Sequence, residues 1–276
     1  MAAADEQRAR LYCSNTAFGV DKALKFDKIV IMEDKLLCKN ERIDDLQYKG
    51  LRLIQNPEYF CFGTDAVLLS GFVNLKNGDR VVDFGTGTGV IAILLAGQQK
   101  ASEIIGIEIQ KKVADMARRS VLLNRLEYVV RIVEGRIQEA KSLVGQATVV
   151  VCNPPYEKPE TGKLNENSTH KYSRHEELCS FEEIVVSAAQ ILGTRGKFYV
   201  INRPERLAEM IYTLKSHRLE PKRIQFVYGA PGKDTKLVLM EALKEAKEGV
   251  KVLKPLYIYD EHHQYTKEVL KMYHME

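Results

Sequence analysis

Two short motifs carry residue types that could do chemistry. The first is the glycine-rich stretch DFGTGTG (83–89), which follows a short strand-like run, and the second is NPPY (153–156), which follows an apolar run at 147–152. A glycine-rich turn lets a ligand approach the backbone closely, because no Cβ obstructs it. The asparagine and proline carbonyls of the second motif could hold the two hydrogens of a planar amine. In this order the motifs predict transfer of a methyl group from S-adenosylmethionine to an exocyclic nitrogen.

The glycine-rich turn is the predicted cofactor cradle. Glu108 ends the next apolar stretch, where its carboxylate could accept hydrogen bonds from both ribose hydroxyls. The structural alternative is an acid that offsets a helix dipole, and we favour the ribose role. The spacing GxGxG differs from the GxGxxG of dinucleotide sites, so S-adenosylmethionine is preferred over NAD.

Upstream of this turn, Thr64 and Asp65 precede an apolar run over 67–72. Either could be the N-cap of a helix there, and both are candidates for covering the methionine end of the cofactor. After the third predicted strand, Arg136 stands where an acid that contacts adenine is typical, so Glu134 or a backbone carbonyl is left to make that contact. The predicted cofactor-binding residues are Thr64, Asp65, Asp83, Gly85, Thr86, Gly87, Gly89, Glu108, Ile109 and Asn153.

The predicted catalytic residues are Asn153, Pro154, Pro155 and Tyr156. The Asn153 side-chain oxygen and the Pro154 backbone carbonyl are the expected amine acceptors, and the two prolines would stiffen the turn. Tyr156 could stack on a planar base, a contact worth about 1–3 kcal/mol in nucleic-acid systems. The structural alternative is a rigid turn at the end of a strand. Catalysis would be mostly positioning and electrostatics, without a strong general base.

The order of the remaining elements predicts an α/β fold. Strands are predicted at 80–84, 103–108, 128–134, 147–152, 196–202, 222–229 and 235–242, and helices at 89–98, 110–124, 180–192 and 204–216. Such alternation favours a parallel sheet covered by helices on both faces. The last two strands leave no room for a crossover helix and should form an antiparallel hairpin. This ending resembles the Rossmann-like S-adenosylmethionine-dependent methyltransferases, whose sheet is seven-stranded and mostly parallel.

Three regions are predicted along the 276 residues. Residues 1–45 read as a partly disordered N-terminal extension, 46–243 as the methyltransferase domain, and 244–276 as a helix–strand–helix appendage. Sequence typical of the methyltransferase domain begins near Met32, which suggests that the natural protein starts there. The polar stretch 157–178 is predicted to be a substrate lid, with a surface connection as the alternative.

Composition narrows the class of protein. The chain is 45% hydrophobic and 28% charged, as in globular proteins. No apolar run approaches the ~20 residues of a membrane span, and the first residues lack the apolar segment of a secretory signal. The five scattered cysteines form no CxxC pair, which favours reduced thiols, a cytoplasmic location and no metal site.

Charge gives a weaker indication of a partner. The net charge is only +4, but residues 195–236 are rich in Lys and Arg, and phosphate contacts need such cations. We therefore predict RNA docking there, with Arg203, Arg206 and Arg223 as the residues to test. The oligomeric state is left open, and a monomer is compatible with the sequence.

The chain resembles the bacterial adenine-N6 methyltransferases that modify valine tRNA beside its anticodon, within the methyltransferase small domain group. The resemblance covers roughly Asn40 to the C-terminus and rests on FGTDAVLLS (62–70), DFGTGTG, NPPY and KYSRHE (171–176). It implies that Asp83, Gly85, Gly87 and Glu108 bind S-adenosylmethionine and that Asn153 and Tyr156 hold the target adenine of a tRNA. DFGTGTG and NPPY are shared widely, so they specify the reaction better than the substrate.

Other functions stay open at this point. A glutamine-N5 methyltransferase acting on release factors also uses NPPY, but it usually carries a sizeable helical N-terminal domain. A DNA methyltransferase would need a target-recognition domain, which is not visible. A non-catalytic RNA-binding module of the same fold would have no need of both motifs.

Overall fold

The computed structural model describes residues 36–59, 61–156 and 179–273. The chain divides into two units at Lys39/Asn40, and every helix and strand of the described residues lies within Asn40–Glu276. The predicted start near Met32, the predicted lid at 157–178 and the KYSRHE stretch lie outside the described residues. Among the described helices, none combines the length and the apolar character that a bilayer span requires.

The described strands, numbered in chain order, form a small hairpin and a large sheet. They are β1 Arg42–Asp45, β2 Arg52–Gln55, β3 Asp79–Phe84, β4 Ala101–Glu108, β5 Val130–Glu134, β6 Ala147–Cys152, β7 Leu192–Asn202, β8 Leu219–Tyr228, β9 Thr235–Lys244, β10 Lys251–Val252 and β11 Leu256–Tyr257. The described helices are α1 Thr64–Phe72, α2 Val90–Gly97, α3 Lys111–Leu123, α4 Ala140–Val144, α5 Phe181–Ile191, α6 Leu207–Ser216 and α7 Lys267–Met272.

The large sheet has the strand order β10-β8-β9-β7-β6-β3-β4-β5, and β11 also pairs with β8. Within the set β3 to β7, all neighbouring strands are parallel. Strand β9 runs antiparallel to both of its neighbours, β7 and β8. The seven predicted strands and the closing antiparallel hairpin are therefore confirmed. After β3 the chain moves outward to β4 and β5 and then returns to place β6 on the other side of β3, which creates a topological switch point. Ligands of open α/β sheets bind outside the carboxyl ends of the strands at such a point.

Two apolar cores cover the two faces of the sheet, because alternate residues of each strand point to opposite sides. On β3, Val81 faces a core with α1, α2 and α3, whereas Val82 faces a core with α5 and α6. Helix α2 is buried along its whole length, as expected for an element held between the sheet and its neighbours. The carboxyl ends of the strands are thus held by packing on both sides.

The hairpin β1–β2 shows that the prediction for residues 1–45 is wrong at the C-terminal end of that range. Residues 42–45 form a strand rather than a loosely ordered extension. The backbone N–H of Ile54 donates to Ser120 Oγ at 2.9 Å, and that of Arg52 donates to Asn124 Oδ1 at 2.8 Å. Ser120 of α3 and Asn124, the residue that caps its C-terminus, thus satisfy two N–H groups of β2. Strand β1 was missed because its four residues, RIDD, show no apolar alternation.

The segment after β9 also differs from its prediction. A charged helix was expected at its start, but the chain turns after Lys244 and forms β10 and β11. Glu245 has φ 54° and Gly249 has φ 115°, and neither value is compatible with a right-handed helix. The predicted short strand and the final helix correspond to β11 and α7.

Candidate active site

A cavity of about 480 Å³ lies at the carboxyl ends of β3, β4 and β6. Both motifs line it, because β3 leads into the glycine-rich turn and β6 leads into NPPY. The lining includes Phe84 to Thr88, Ile107 to Gln110, Gly135 to Gln138, Cys152 to Tyr156, Asp65 and Arg203. Two motifs that are distant in sequence therefore share one site at the switch point.

The glycine-rich turn follows a path that side chains would oppose. Gly85 and Gly87 have φ of 66° and 56°, in the left-handed region that glycine tolerates best. No heavy atom lies within 4 Å of where a Cβ would stand at either position. The space beside the turn is therefore open to a ligand that approaches the backbone.

Asp83 lies beneath this turn and does not line the cavity. Its side chain is fully buried, and Oδ2 accepts a hydrogen bond from Thr86 Oγ1 at 2.6 Å. Burial raises the pKa of the Asp83 carboxyl to about 7, an effect that the Thr86 hydrogen bond opposes and the nearby Glu108 charge increases. Among the described residues, Asp83 Oδ1 has no hydrogen-bond partner. Asp83 thus holds the turn from below through Thr86.

Glu108 lies at the end of β4, inside the cavity wall. Its Oε2 accepts from the Gly87 N–H at 3.1 Å, and its Oε1 accepts from the Gln110 N–H at 2.9 Å. An ionised carboxylate has about four acceptor positions, so both oxygens keep capacity for further donors. Ile109 follows on the same wall. This arrangement can hold a vicinal diol.

The NPPY motif forms a compact polar cluster with α1. Asn153 Nδ2 donates to Asp65 Oδ2 at 3.1 Å, and the Tyr156 hydroxyl donates to the same oxygen at 2.6 Å. The Tyr156 hydroxyl oxygen also lies 3.0 Å from Asn153 Oδ1. Pro154 and Pro155 both line the cavity. Asp65, predicted to contact the cofactor, therefore contacts the motif expected to hold the amine.

Tyr156 is held between this cluster and Arg203. Burial, together with the charge of Asp65, raises the pKa of the Tyr156 phenol far above its usual range, so the hydroxyl keeps its hydrogen at neutral pH. The guanidinium carbon of Arg203 lies 5.3 Å from the ring centroid, a cation–π distance. One face of the ring is thus occupied at the mouth of the cavity.

Besides Asp83, two predicted residues lie away from the cavity. Thr64 begins α1 and hydrogen-bonds to Tyr273 instead. Gly89 is the N-cap of α2 with φ 92°. The expectation that Thr64 or Asp65 caps α1 is wrong, because the N-cap is Gly63 and it has no side-chain hydrogen bond. Asp65 is the second residue of α1, where one carboxylate oxygen accepts the Ala66 N–H and the other faces NPPY.

The wall after β5 contains Arg136, which the sequence singled out, and Gln138, which it did not. Glu134 is exposed and does not line the cavity, whereas Gly135, Arg136 and Gln138 do. Gln138 Nε2 donates to Glu183 Oε1 at 3.2 Å. Gln138 follows the carboxyl end of β5, and Arg203 follows that of β7. A position just after a parallel strand was therefore the available signal for both residues.

The three arginines proposed for RNA docking have different surroundings. Arg206 is buried and pairs with Glu209 at 2.9 Å, and Arg223 pairs with Glu241 at 2.5 Å. Arg203 is exposed. Within the described part of the chain, no carboxylate pairs with its guanidinium. Of these three arginines, Arg203 alone lines the cavity, and its guanidinium lies against the Tyr156 ring rather than against a carboxylate of the described residues.

Residues 36–59, 61–156 and 179–273 include several side chains of types that can ligate a metal or act as nucleophiles. These residues contain no group of three or more His, Cys, Asp or Glu side chains arranged to hold a metal. The four cysteines of this part, Cys38, Cys61, Cys152 and Cys179, are free. Burial raises the pKa of Cys152 well above its usual value and that of Cys179 to about 12, so neither is an activated thiolate.

The chain matches known proteins along most of its length. The family model described as "Methyltransferase small domain" matches residues 60–218. A tRNA1(Val) (adenine(37)-N6)-methyltransferase of Porphyromonas gingivalis is 29% identical over 206 residues, which cover 72% of this chain and 80% of that protein. The protein of the same name from Bacteroides fragilis is 28% identical over 233 residues, covering 82% of this chain and 94% of that protein.

A solved structure is similar in fold. The crystal structure of a predicted O-methyltransferase from Agrobacterium tumefaciens superimposes with a TM-score of 0.62, covering 76% of this chain and 95% of that chain. The sequence identity is 24%, so this likeness bears on the fold alone. It agrees with a Rossmann-like sheet of the methyltransferase type.

Proposed function

Because the chain belongs to the methyltransferase small domain family, we propose that it transfers a methyl group from S-adenosylmethionine to the N6 amine of an adenine in tRNA. The observation that carries the proposal is the shared cavity of the glycine-rich turn, Glu108 and NPPY. The names of the relatives direct the proposal to valine tRNA at the adenine beside the anticodon. A cytoplasmic location follows as an expectation for an enzyme that acts on tRNA.

The residues present fit S-adenosylmethionine. Gly85 and Gly87 leave open space at the backbone, and Glu108 keeps acceptor capacity for ribose hydroxyls. Asp83 would act from beneath by fixing Thr86. When bound, the cofactor supplies an electrophilic methyl group on a sulfonium sulfur.

The NPPY residues would prepare the amine. The lone pair of adenine N6 is delocalised into the ring, so the nitrogen is a weak nucleophile. Asn153 Oδ1 and the Pro154 carbonyl would each accept one amine hydrogen, which draws the nitrogen toward tetrahedral geometry and directs its lone pair outward. Fixed acceptors of this kind stabilise charge that develops in the transition state without reorganising. The methylated amine is acidic enough to lose its extra proton to water.

Tyr156 and Arg203 would hold the base and its strand. An aromatic ring beside the acceptors offers a stacking surface for adenine. Arg203 is exposed at the mouth of the same cavity and suits a backbone phosphate of the tRNA. RNA docking is therefore proposed for Arg203, whereas Arg206 and Arg223 pair with carboxylates inside the protein.

The test is transfer of labelled methyl from S-adenosylmethionine to unmodified total tRNA or to release factor, followed by digestion of the product. We expect labelled N6-methyladenosine in the tRNA. Asn153→Ala should abolish transfer, because it removes an acceptor for the amine. A weakened Kd for S-adenosylmethionine in the same variant would support the cofactor contact that is also predicted for Asn153. Label in the protein alone would identify a glutamine-N5 methyltransferase, and label in neither would favour a non-catalytic binding module.

A further inference from the structure

We infer that Asp65 is a positioning residue that fixes the orientation of the Asn153 carboxamide, so that its oxygen, and not its NH₂ group, faces the target amine. The inference rests on the proposed function for its substrate. The observation itself is the hydrogen-bonded cluster of Asp65, Asn153 and Tyr156, which joins α1 to the NPPY turn.

The two ends of an asparagine side chain are nearly the same in shape, and surrounding hydrogen bonds decide which end points where. Reversal of Asn153 would replace an acceptor by two donors and leave the amine without its partner. An ionised carboxylate can only accept hydrogen bonds. Since Asp65 Oδ2 lies 3.1 Å from Asn153 Nδ2, the NH₂ end is held there and the reversed orientation would place two acceptors against each other.

The same carboxylate also keeps the Asn153 oxygen available. The Tyr156 hydroxyl has one hydrogen and two acceptors in reach, Asp65 Oδ2 at 2.6 Å and Asn153 Oδ1 at 3.0 Å. Bonds to a charged acceptor are shorter and stronger than bonds to a neutral one, so the hydrogen points to Asp65. Asn153 Oδ1 then has no hydrogen from Tyr156 and can accept one from a substrate.

The start of α1 is built to hold Asp65 in this position. Its second oxygen, Oδ1, accepts the Ala66 N–H at 2.9 Å, which fixes the carboxylate plane. A Cβ on Gly63 would lie 2.8 Å from that oxygen, closer than such contacts occur. Glycine at 63 therefore leaves room for the Asp65 conformation that reaches NPPY.

The test compares Asp65→Asn and Asp65→Ala with a matched control, Asp79→Asn. Asp79 also accepts two hydrogen bonds, from the Lys76 N–H and from Thr148 Oγ1, but it lies at the opposite end of β3. We expect kcat for tRNA methylation to fall about 10-fold in Asp65→Asn and about 100-fold in Asp65→Ala, the scale of losses from small misplacements. The KM for tRNA and the Kd for S-adenosylmethionine should change less than about twofold, and the control should match the wild type.

Asparagine is nearly isosteric with aspartate, so Asp65→Asn still tests the inference if the Asp65→Ala variant does not fold. An unchanged kcat in Asp65→Asn would overturn the inference. So would a weakened Kd for S-adenosylmethionine with kcat preserved, which would mark Asp65 as a cofactor ligand.

A second readout does not depend on the substrate. In ¹⁵N-labelled protein without ligand, one of the two side-chain N–H signals of Asn153 should be shifted downfield by the carboxylate, and Asp65→Asn should reduce that shift. Equal spectra would refute the contact. If wild-type protein methylates no tRNA but the shift is present, the proposed function fails and the Asp65–Asn153 contact stands.

Discussion

The buried Asp83 should make the stability of the fold depend on pH. Its pKa is about 7 in the folded protein, against 3.8 for an ordinary aspartate, chiefly because of burial. The folded state therefore binds a proton that the unfolded state has released, at any pH between these two values. Stability from this group is fully present below pH 3.8 and is lost as the pH rises through 7.

The magnitude follows from linkage. A difference of roughly three pKa units corresponds to about 4 kcal/mol in total, and the part that falls between pH 5 and pH 8 is about 2.5 kcal/mol. Asp83→Asn removes the titrating group with little change in shape, and its amide oxygen can still accept from Thr86. The difference in free energy of unfolding between wild type and variant should thus fall by about 2.5 kcal/mol as the pH rises from about 5 to about 8.

Urea unfolding at several pH values, with reversibility checked at each, measures this difference directly. Subtracting the variant removes the contribution of every other titrating group that both proteins share. A difference that stays constant from pH 5 to pH 8 would refute the assignment of a raised pKa to Asp83. A difference that grows with pH would reverse its sign and mean that the carboxylate is stabilised by partners in the folded state.

Three further changes test other parts of the structure. Glu108→Gln should weaken S-adenosylmethionine binding about 10- to 100-fold in calorimetry, since charged hydrogen bonds contribute about 1.5–3 kcal/mol. The control is Glu103→Gln on the same strand. Equal losses of affinity in the two variants would contradict the ribose role of Glu108. Arg203→Ala should reduce the salt dependence of tRNA binding by about one unit of slope. Arg206→Ala should leave that slope unchanged and lower the free energy of unfolding by about 1 kcal/mol, because the side chain of its partner Glu209 is 37% exposed and an ion pair near the surface contributes at most about that much. Gly71→Ala should lower the free energy of unfolding by about 1–3 kcal/mol in urea titration, because the new Cβ would lie 2.6 Å from a side-chain atom of α7; an unchanged midpoint would mean that α7 moves aside freely.

Sequence reasoning predicted the elements whose signals are local. The apolar strands and the helices between them carry their period within each segment, and so do the glycine-rich turn and the two prolines. Because parallel strands end at one edge of a sheet, placing DFGTGTG and NPPY after two such strands was enough to expect a shared cavity.

The missed features depend on contacts that a local sequence pattern does not reveal. Strand β1 was missed because its four residues, RIDD, show no apolar alternation. Arg206 and Arg223 looked like docking residues until Glu209 and Glu241 were found beside them. The role of Asp65 was not visible either, since 88 residues separate it from Asn153. Composition reports how many cations a segment has, but only the fold shows which ones are already paired.

The short strands β10 and β11 have a consequence for self-association. Both lie along the outer edge of β8, where the Leu253 N–H donates to Ile224 O at 2.8 Å and the Ile258 N–H donates to Tyr228 O at 2.9 Å. An uncovered edge strand is a template for pairing with another chain. Each covering strand has only two residues, which is too short to be a good template itself. The segment after β9 therefore closes this side of the sheet against growth by strand addition, and its removal would expose an edge ten residues long.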